Sequence, residues 1–226
     1  MPKFKLPQAQ ALYCAVLLTL FLGPADALAK PAATADNAAR PAVVVERCSS
    51  IIAGKETTKD GSVLLGHNED LANYCAHHYV YVPHAKHLPG ETVTLFGGTV
   101  VPQPAETYGY SATKIFDKAY VPGDITSGVN EHQVAIANNM SYRRDAPVVL
   151  PIEGRIIWTE LTQLALERAT TAREAVEIIG DLVHTYKLGG DSGAMFAVTD
   201  VKEGWWVEVT LEGQWAAQRV PDNSFG

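Results

Sequence analysis

Residues 47–70 read RCSSIIAGKETTKDGSVLLGHNED. Two short apolar runs, Ser49 to Ala53 and Ser62 to His67, flank a charged segment that closes on Asp60-Gly61. An Asp-Gly turn between apolar runs predicts an antiparallel hairpin. Cys48 stands at its head and Asn68-Glu69-Asp70 at its exit, a nucleophile followed by polar support. A cysteine attacks an amide only as thiolate, and an ordinary thiol, ionising near pH 8.5, needs a base to reach that state. Cutting the Arg47–Cys48 bond would free the cysteine's own α-amine, whose ordinary pKa of about 7.7–8.0 suits a general base near neutral pH.

Working upstream, Lys3 and Lys5 form a basic start, Ala11 to Gly23 an apolar run, and Ala27-Leu28-Ala29 a small-residue cleavage pattern. Residues 1–29 are therefore expected to be a secretory signal peptide. The apolar run falls short of the roughly 20 residues that span a bilayer, so no membrane attachment is expected after its removal. Residues 30–47 are Ala- and Pro-rich and bury too little to fold alone, as a propeptide would. The expected product is residues 48–226 of an exported protein, periplasmic or secreted. Cys14 lies in the apolar run, which leaves Cys48 and Cys75. In an exported chain a disulfide between them is the competing reading, and it would consume the nucleophile.

Downstream, β-rich runs at Tyr79 to Val82 and Thr92 to Phe96 precede a loop over Gly97 to Glu106. Tyr108 to Ala112 and Ile115 to Tyr120 are expected as further strands. Val134 to Ala137 is a compact apolar strand opening on Asn138-Asn139. The period then changes. Ile157, Leu161, Leu164, Ala165 and Arg168 recur at helical spacing, as do Ala175, Ile178, Ile179, Leu182, Val183 and Tyr186. Thr171 with Glu174 is a capping-box pattern at the second helix start. Ala194 to Thr199, Trp205 to Thr210 and Trp215 to Arg219 return to strand. Strands, two helices and strands again predict an α+β arrangement of packed sheets covered by helices. Pro221 to Gly226 brings no capping element, which is expected if the domain continues past Gly226.

Composition supports a packed domain and narrows the partners. With 47% hydrophobic and 19% charged residues the chain can bury a core. A net charge of −7 without a dense Lys/Arg run argues against a nucleic-acid partner.

Three motifs in order carry a specific resemblance. Cys48-Ser49-Ser50-Ile51-Ile52-Ala53-Gly54-Lys55, Asp60-Gly61-Ser62 and Gly66-His67-Asn68-Glu69-Asp70 resemble the opening of the C69 (U34) dipeptidases, N-terminal nucleophile hydrolases. Asn130-Glu131-His132 with VAIANN resembles the next signature, and DVKEGWWVE at 200–208 with QWAAQRVPD at 214–222 a third. The resemblance implies a four-layer αββα sandwich of two antiparallel sheets, self-cleavage before Cys48, and hydrolysis of dipeptides through a thioester; no cofactor or metal is expected. In the related cholylglycine-hydrolase-like enzymes an Arg and, three residues on, an Asp follow the cysteine. His67 stands at that Arg position and Asp70 at that Asp position. Asp70 is expected to hold the freed amine, and His67 to hydrogen-bond the thiolate without a permanent charge. The remaining family groups, a later Asn and Arg, are expected past Gly226.

Acyl transfer also needs donors aimed at the developing oxyanion. Asn138 and Asn139 are the candidates, and the match to the family's strand-end pattern favours Asn138. Arg143 and Arg144 are candidates for a substrate carboxylate clamp. His77, His78, His84 and His87 have spacing a transition metal could use, but no Cys or Asp/Glu cluster joins them, and solvated loop histidines are the simpler reading. Trp205, Trp206 and Trp215 are expected in strand core rather than a pocket, and Glu131 as a cap or ion pair. Asp191-Ser192-Gly193 lacks the G-x-S-x-G elbow and is expected to be a loop. Alternatives to the dipeptidase are an acylase of the penicillin V or bile-salt amidase type and a non-catalytic exported binding module.

Overall fold

A computed structural model describes residues 48–70, 77–115, 125–142 and 149–226. Arg47, Cys75, Arg143 and Arg144 lie outside these, as do the expected signal peptide and propeptide.

The predicted hairpin forms. Strand β1 (Ser49–Ala53) pairs antiparallel with β2 (Leu64–Asn68), with Ser49 opposite Asn68 and Ser50 opposite His67. In the connection, Asp60 Oδ1 accepts hydrogen bonds from Ser62 N at 3.2 Å and Ser62 Oγ at 2.6 Å, and Gly61 takes φ +78°. A positive φ there is strained for any residue with a Cβ, which is why the turn uses glycine. The chain end lies along the other edge of β1. Ile52 N donates to Gly226 O at 2.8 Å, Gly226 N to Ile52 O at 2.9 Å, and Gly54 N to Ser224 O at 3.0 Å. Lys55 meets Asp222 at 3.0 Å, and Arg219 meets both Asp222 and Glu203 at 2.6 Å. The third family-like motif is thus the clamp that holds the end of the chain on the hairpin.

The main sheet has seven antiparallel strands. In chain order they are β3 (His77–Val82), β8 (Tyr110–Ile115), β9 (Ile125–Asn130), β10 (Ala135–Ser141), β11 (Gly193–Thr199), β12 (Gly204–Val209) and β13 (Trp215–Val220). Across the sheet their order is β13-β12-β11-β10-β9-β8-β3. Between β3 and β8 lie two small ribbons, β4 (Ala85–Lys86) with β7 (Glu106–Thr107) and β5 (Thr92–Thr94) with β6 (Val100–Pro102). The expected loop at Gly97 to Glu106 therefore contains pairing segments too short to show a period of their own. The strand expected at Tyr108 begins at Tyr110, and residues 116–120 fall outside the description. Strand β10 runs on to Ser141, so Asn138 and Asn139 are interior strand residues rather than its exit.

Helices α1 (Trp158–Leu166) and α2 (Ala172–Tyr186) cover one face of this sheet. Their apolar stripes, including Leu161, Leu164, Ile179 and Val183, pack with Ile136, Phe196 and Val207 into the principal core. Both helix starts are capped, the second at the expected Thr171. Glu160 accepts from Ile157 N at 2.9 Å and Phe96 N at 2.7 Å, with burial pushing its carboxyl up. Thr171 Oγ1 accepts from Glu174 N at 3.2 Å, and Asp200 from Ala172 N at 2.8 Å. Buried Asn130 organises the turn between β9 and β10. Its Oδ1 accepts from His132 N and Val134 N, both at 3.0 Å, and its Nδ2 donates to Leu166 O at 2.9 Å and Ala169 O at 2.7 Å. That gives the second family-like motif a structural purpose.

The opposite face of the sheet receives the β1–β2 hairpin. Ile52, Ala197 and Val220 form a second core, joined by Val63, Leu65 and Trp206. Helices, seven-stranded sheet and hairpin make three of the four expected layers. Among the described residues no helix covers the outer face of the hairpin, where Ile51 and Leu64 are exposed. Trp205 packs on the principal core under Arg173, 5.2 Å from the ring centre, and Trp215 lies against Gly180 of α2. Trp205 and Trp206 thus serve packing, as expected, whereas Trp215 stays 39% exposed on β13 instead of entering the core.

Candidate active site

Alternation along β1 decides what Cys48 faces. Successive residues of an extended chain point to opposite sides, so Cys48, Ser50 and Ile52 share one. Ile52 is fully buried against the main sheet, which turns Cys48 and Ser50 into the space between the sheets. Extending the register of Ser49 opposite Asn68 sets Cys48 across from Glu69.

The side chains meet accordingly. Cys48 Sγ donates to Glu69 Oε1 at 3.0 Å and lies 3.9 Å from the Asp70 carbonyl oxygen. The other Glu69 oxygen, Oε2, is 3.1 Å from His67 Nε2. Nδ1 of the same imidazole is 2.9 Å from Ser50 Oγ. Ser50 Oγ in turn lies 3.0 Å from Asn139 Nδ2 and 3.2 Å from its Oδ1, which joins the hairpin to β10. His67 and Glu69 keep only 8% and 9% of their side-chain surface exposed. Buried polar groups are costly unless paired, and each of these has a partner.

The arrangement joins some expected residues and separates others. Cys48, His67 and Asp70 come together, but His67 reaches the sulfur only through Glu69. Asp70 is exposed and brings its main-chain carbonyl to the sulfur. Asn138 is the correction. It shares the helix-facing side of β10 with Ile136, is fully buried, and donates to Ile125 O at 3.1 Å and Thr162 Oγ1 at 2.7 Å. Asn139 has the opposite parity and faces Ser50. The asparagine on the hairpin side of β10 is therefore Asn139, bonded to Ser50. Glu69 and Ser50 were not singled out from the sequence, although the hairpin register alone sets both among the candidate residues.

Beside His67 is an open hollow of about 220 Å³, walled by Leu65 and Tyr79 and floored by Ser111, Thr113 and Ser127. It is smaller than the roughly 300–1,000 Å³ of pockets that enclose drug-sized ligands. A larger hollow of about 610 Å³ between residues 96–98 and 149–153 is lined by none of Cys48, His67, Glu69 or Asn139. Of the four histidines considered for a metal, His77 and His78 lie exposed on β3 rather than in a loop, and His84 and His87 are engaged by carboxylates. His84 contacts Glu131 at 2.6 Å and Glu106 at 3.3 Å, and His87 contacts Glu91 and Thr107, both at 2.9 Å.

The family model of peptidase family C69 matches residues 47–226. A probable dipeptidase of Latilactobacillus sakei is 28% identical over 187 residues, covering 81% of this chain and 39% of its own. A probable dipeptidase B of Streptococcus pyogenes serotype M1 is 30% identical over 190 residues, covering 79% and 36%. The chain thus spans well under half the length of these curated relatives. Penicillin V acylase from Agrobacterium tumefaciens superposes with a TM-score of 0.53 at 14% identity, over 78% of this chain and 52% of that one. A mutant conjugated bile acid hydrolase from Clostridium perfringens gives 0.50 at 15% identity, over 76% and 51%. At such identities the likeness shows the fold alone. With the family model matched from residue 47 to Gly226, the chain belongs to peptidase family C69.

Proposed function

We infer that this chain carries the nucleophilic half of a cysteine dipeptidase, exported and activated by a cut before Cys48. The observation that carries this reading is the position of Sγ. It heads the hairpin between the two sheets, hydrogen-bonded to buried Glu69 with His67, Ser50 and Asn139 behind it. The freed α-amine of Cys48 serves as base in turnover, and Asp70, the last residue described before 71–76, holds it. Sγ attacks the peptide carbonyl carbon, the amine of the leaving residue takes a proton, and water hydrolyses the resulting thioester. The Asn139 amide supplies an N–H to the developing oxyanion. The hollow beside His67 accepts one side chain of the substrate, in keeping with a peptide of two residues. Export follows from the signal-like residues 1–29, and among the described residues no helix is long and apolar enough to cross a membrane. Hydrolysis of a panel of dipeptides by the full chain and by its Cys48→Ala variant tests the assignment. Release of free amino acids by the wild type alone is expected, and equal release by the variant overturns it.

A further inference from the structure

The maturation reading raises a chemical difficulty that the geometry resolves. Before the cut, the nitrogen of Cys48 is the amide of the Arg47–Cys48 bond and holds no basic lone pair. The α-amine that serves turnover therefore cannot serve the first cleavage, and another group must take the thiol proton. We propose that Glu69 is that group, the general base of the maturation step.

Three observations converge on it. Glu69 Oε1 is the acceptor of the Cys48 thiol at 3.0 Å. The carboxylate is nearly buried, 9% exposed, where water competes poorly for the proton. The hydrogen-bond pattern also points towards it. With a neutral imidazole, Asn139 Nδ2 donates to Ser50 Oγ, Ser50 to His67 Nδ1, and His67 Nε2 to Glu69 Oε2. With an imidazolium the bonds between His67, Ser50 and Asn139 reverse, but His67 Nε2 still donates to Glu69. In both arrangements the carboxylate is the common acceptor for sulfur and imidazole, so His67 positions the base and does not compete for its role. Among the described residues, Cys48 bonds one oxygen of this carboxylate and His67 the other.

The step balances without a co-reactant other than water. The S–H bond breaks and its proton passes to Glu69 Oε1, while Sγ bonds to the carbonyl carbon of Arg47. The C–N bond to Cys48 then breaks, and its nitrogen takes the proton back from Glu69 to become the α-amine. Water hydrolyses the thioester, leaving the Arg47 carboxylate and the Cys48 thiol, and Glu69 ends ionised as it began. This assignment rests on the maturation reading above, and it explains why a carboxylate stands beside a nucleophile that later carries its own base.

The test follows cleavage of the full precursor by intact mass from pH 6 to 9, for wild type and Glu69→Gln. Positioned general bases contribute about 10²–10⁴-fold, so at pH 6 the variant is expected to be cut at least about 10²-fold more slowly. The deficit should narrow towards pH 9, because an ordinary thiol ionises unaided near pH 8.5. A purely structural role gives a deficit independent of pH. Glu69→Asp keeps a carboxylate one methylene short, and a smaller deficit with the same narrowing is expected there. That variant decides the matter if Glu69→Gln does not fold. Cleavage of the variants at the wild-type rate, or a constant deficit, overturns the role of Glu69 alone. A wild-type precursor that is never cut before Cys48 overturns the maturation reading as well.

Discussion

Alanine substitution of Asn138 and Asn139, one at a time, should separate packing from catalysis in two neighbouring residues of the same type. Asn138 is fully buried on the helix side and donates to Ile125 O at 3.1 Å and Thr162 Oγ1 at 2.7 Å. Each such bond contributes about 1 kcal/mol net, so Asn138→Ala is expected to cost about 2 kcal/mol. Its Oδ1 has no partner among the described atoms, so its removal returns a little of that cost. For a domain of this size about 2 kcal/mol lowers Tm by roughly 4–8 °C. The Asn139 side chain bonds Ser50 across the sheets, and its loss should leave Tm within a few degrees. Losing an oxyanion donor, by contrast, typically slows turnover by about 10²–10³-fold. Thermal melting followed by circular dichroism, together with initial rates of dipeptide hydrolysis on both variants, reads the two effects separately. If Asn138→Ala is inactive at an unchanged Tm while Asn139→Ala keeps full activity, the assignment of faces along β10 is wrong.

Other consequences are independent of that pair. A Cβ at Gly54 would lie 2.4 Å from Pro221 O and 2.5 Å from Asp222 O, both backbone atoms that cannot step aside. Gly54→Ala should cost about 1–3 kcal/mol and loosen residues 222–226 from β1, seen as a lower urea midpoint and faster proteolysis of the chain end; an unchanged midpoint contradicts the clamp. The hydrogen bond His84 donates to Glu131, with Glu106 adding to it, raises the imidazole above its ordinary 6.5. The contact therefore stabilises fully below pH 6.5 and fades as pH rises through the raised value. An NMR titration should show His84 moving back towards 6.5 in Glu131→Gln, and no movement refutes the pairing. Asp222 is held below the ordinary carboxylate range by Lys55 first and Arg219 second, so the clamp should persist above about pH 4 and release as pH falls through the lowered value. Amide exchange at Gly54 and Glu56, which donate to the clamped segment, should accelerate only at that acid end.

Much of this layout was legible because local chemistry and tertiary structure agree. The Asp60-Gly61 turn, the Thr171 cap and the helical spacing of Leu161, Leu164, Ile179 and Val183 each specify an element without reference to the rest of the chain. The parity of Asn138 was not legible in the same way. Strand β10 is packed on both faces, with Ile136 and Ala137 both fully buried, so hydrophobic alternation cannot say which asparagine faces the hairpin. Glu69 was obscured for another reason. In Asn68-Glu69-Asp70 attention falls on the residue that matches the family's aspartate, whereas the pairing of Ser49 with Asn68 is what sets Glu69 opposite Cys48. The short ribbons β4–β7 and β5–β6 are two or three residues long, below the length at which a period of two can be seen. His67 differs from expectation in its contacts, with Nε2 engaged by Glu69 and Nδ1 by Ser50.

The central claim is that Cys48 becomes a chain terminus and the nucleophile by one cut. N-terminal sequencing of the purified wild-type protein beside Cys48→Ala tests it most directly. The account predicts Cys48 as the first residue of the wild type, and an uncut Arg47–Ala junction in the variant. A wild-type chain that begins at Lys30, or a variant trimmed to residue 48 as completely as the wild type, would contradict it.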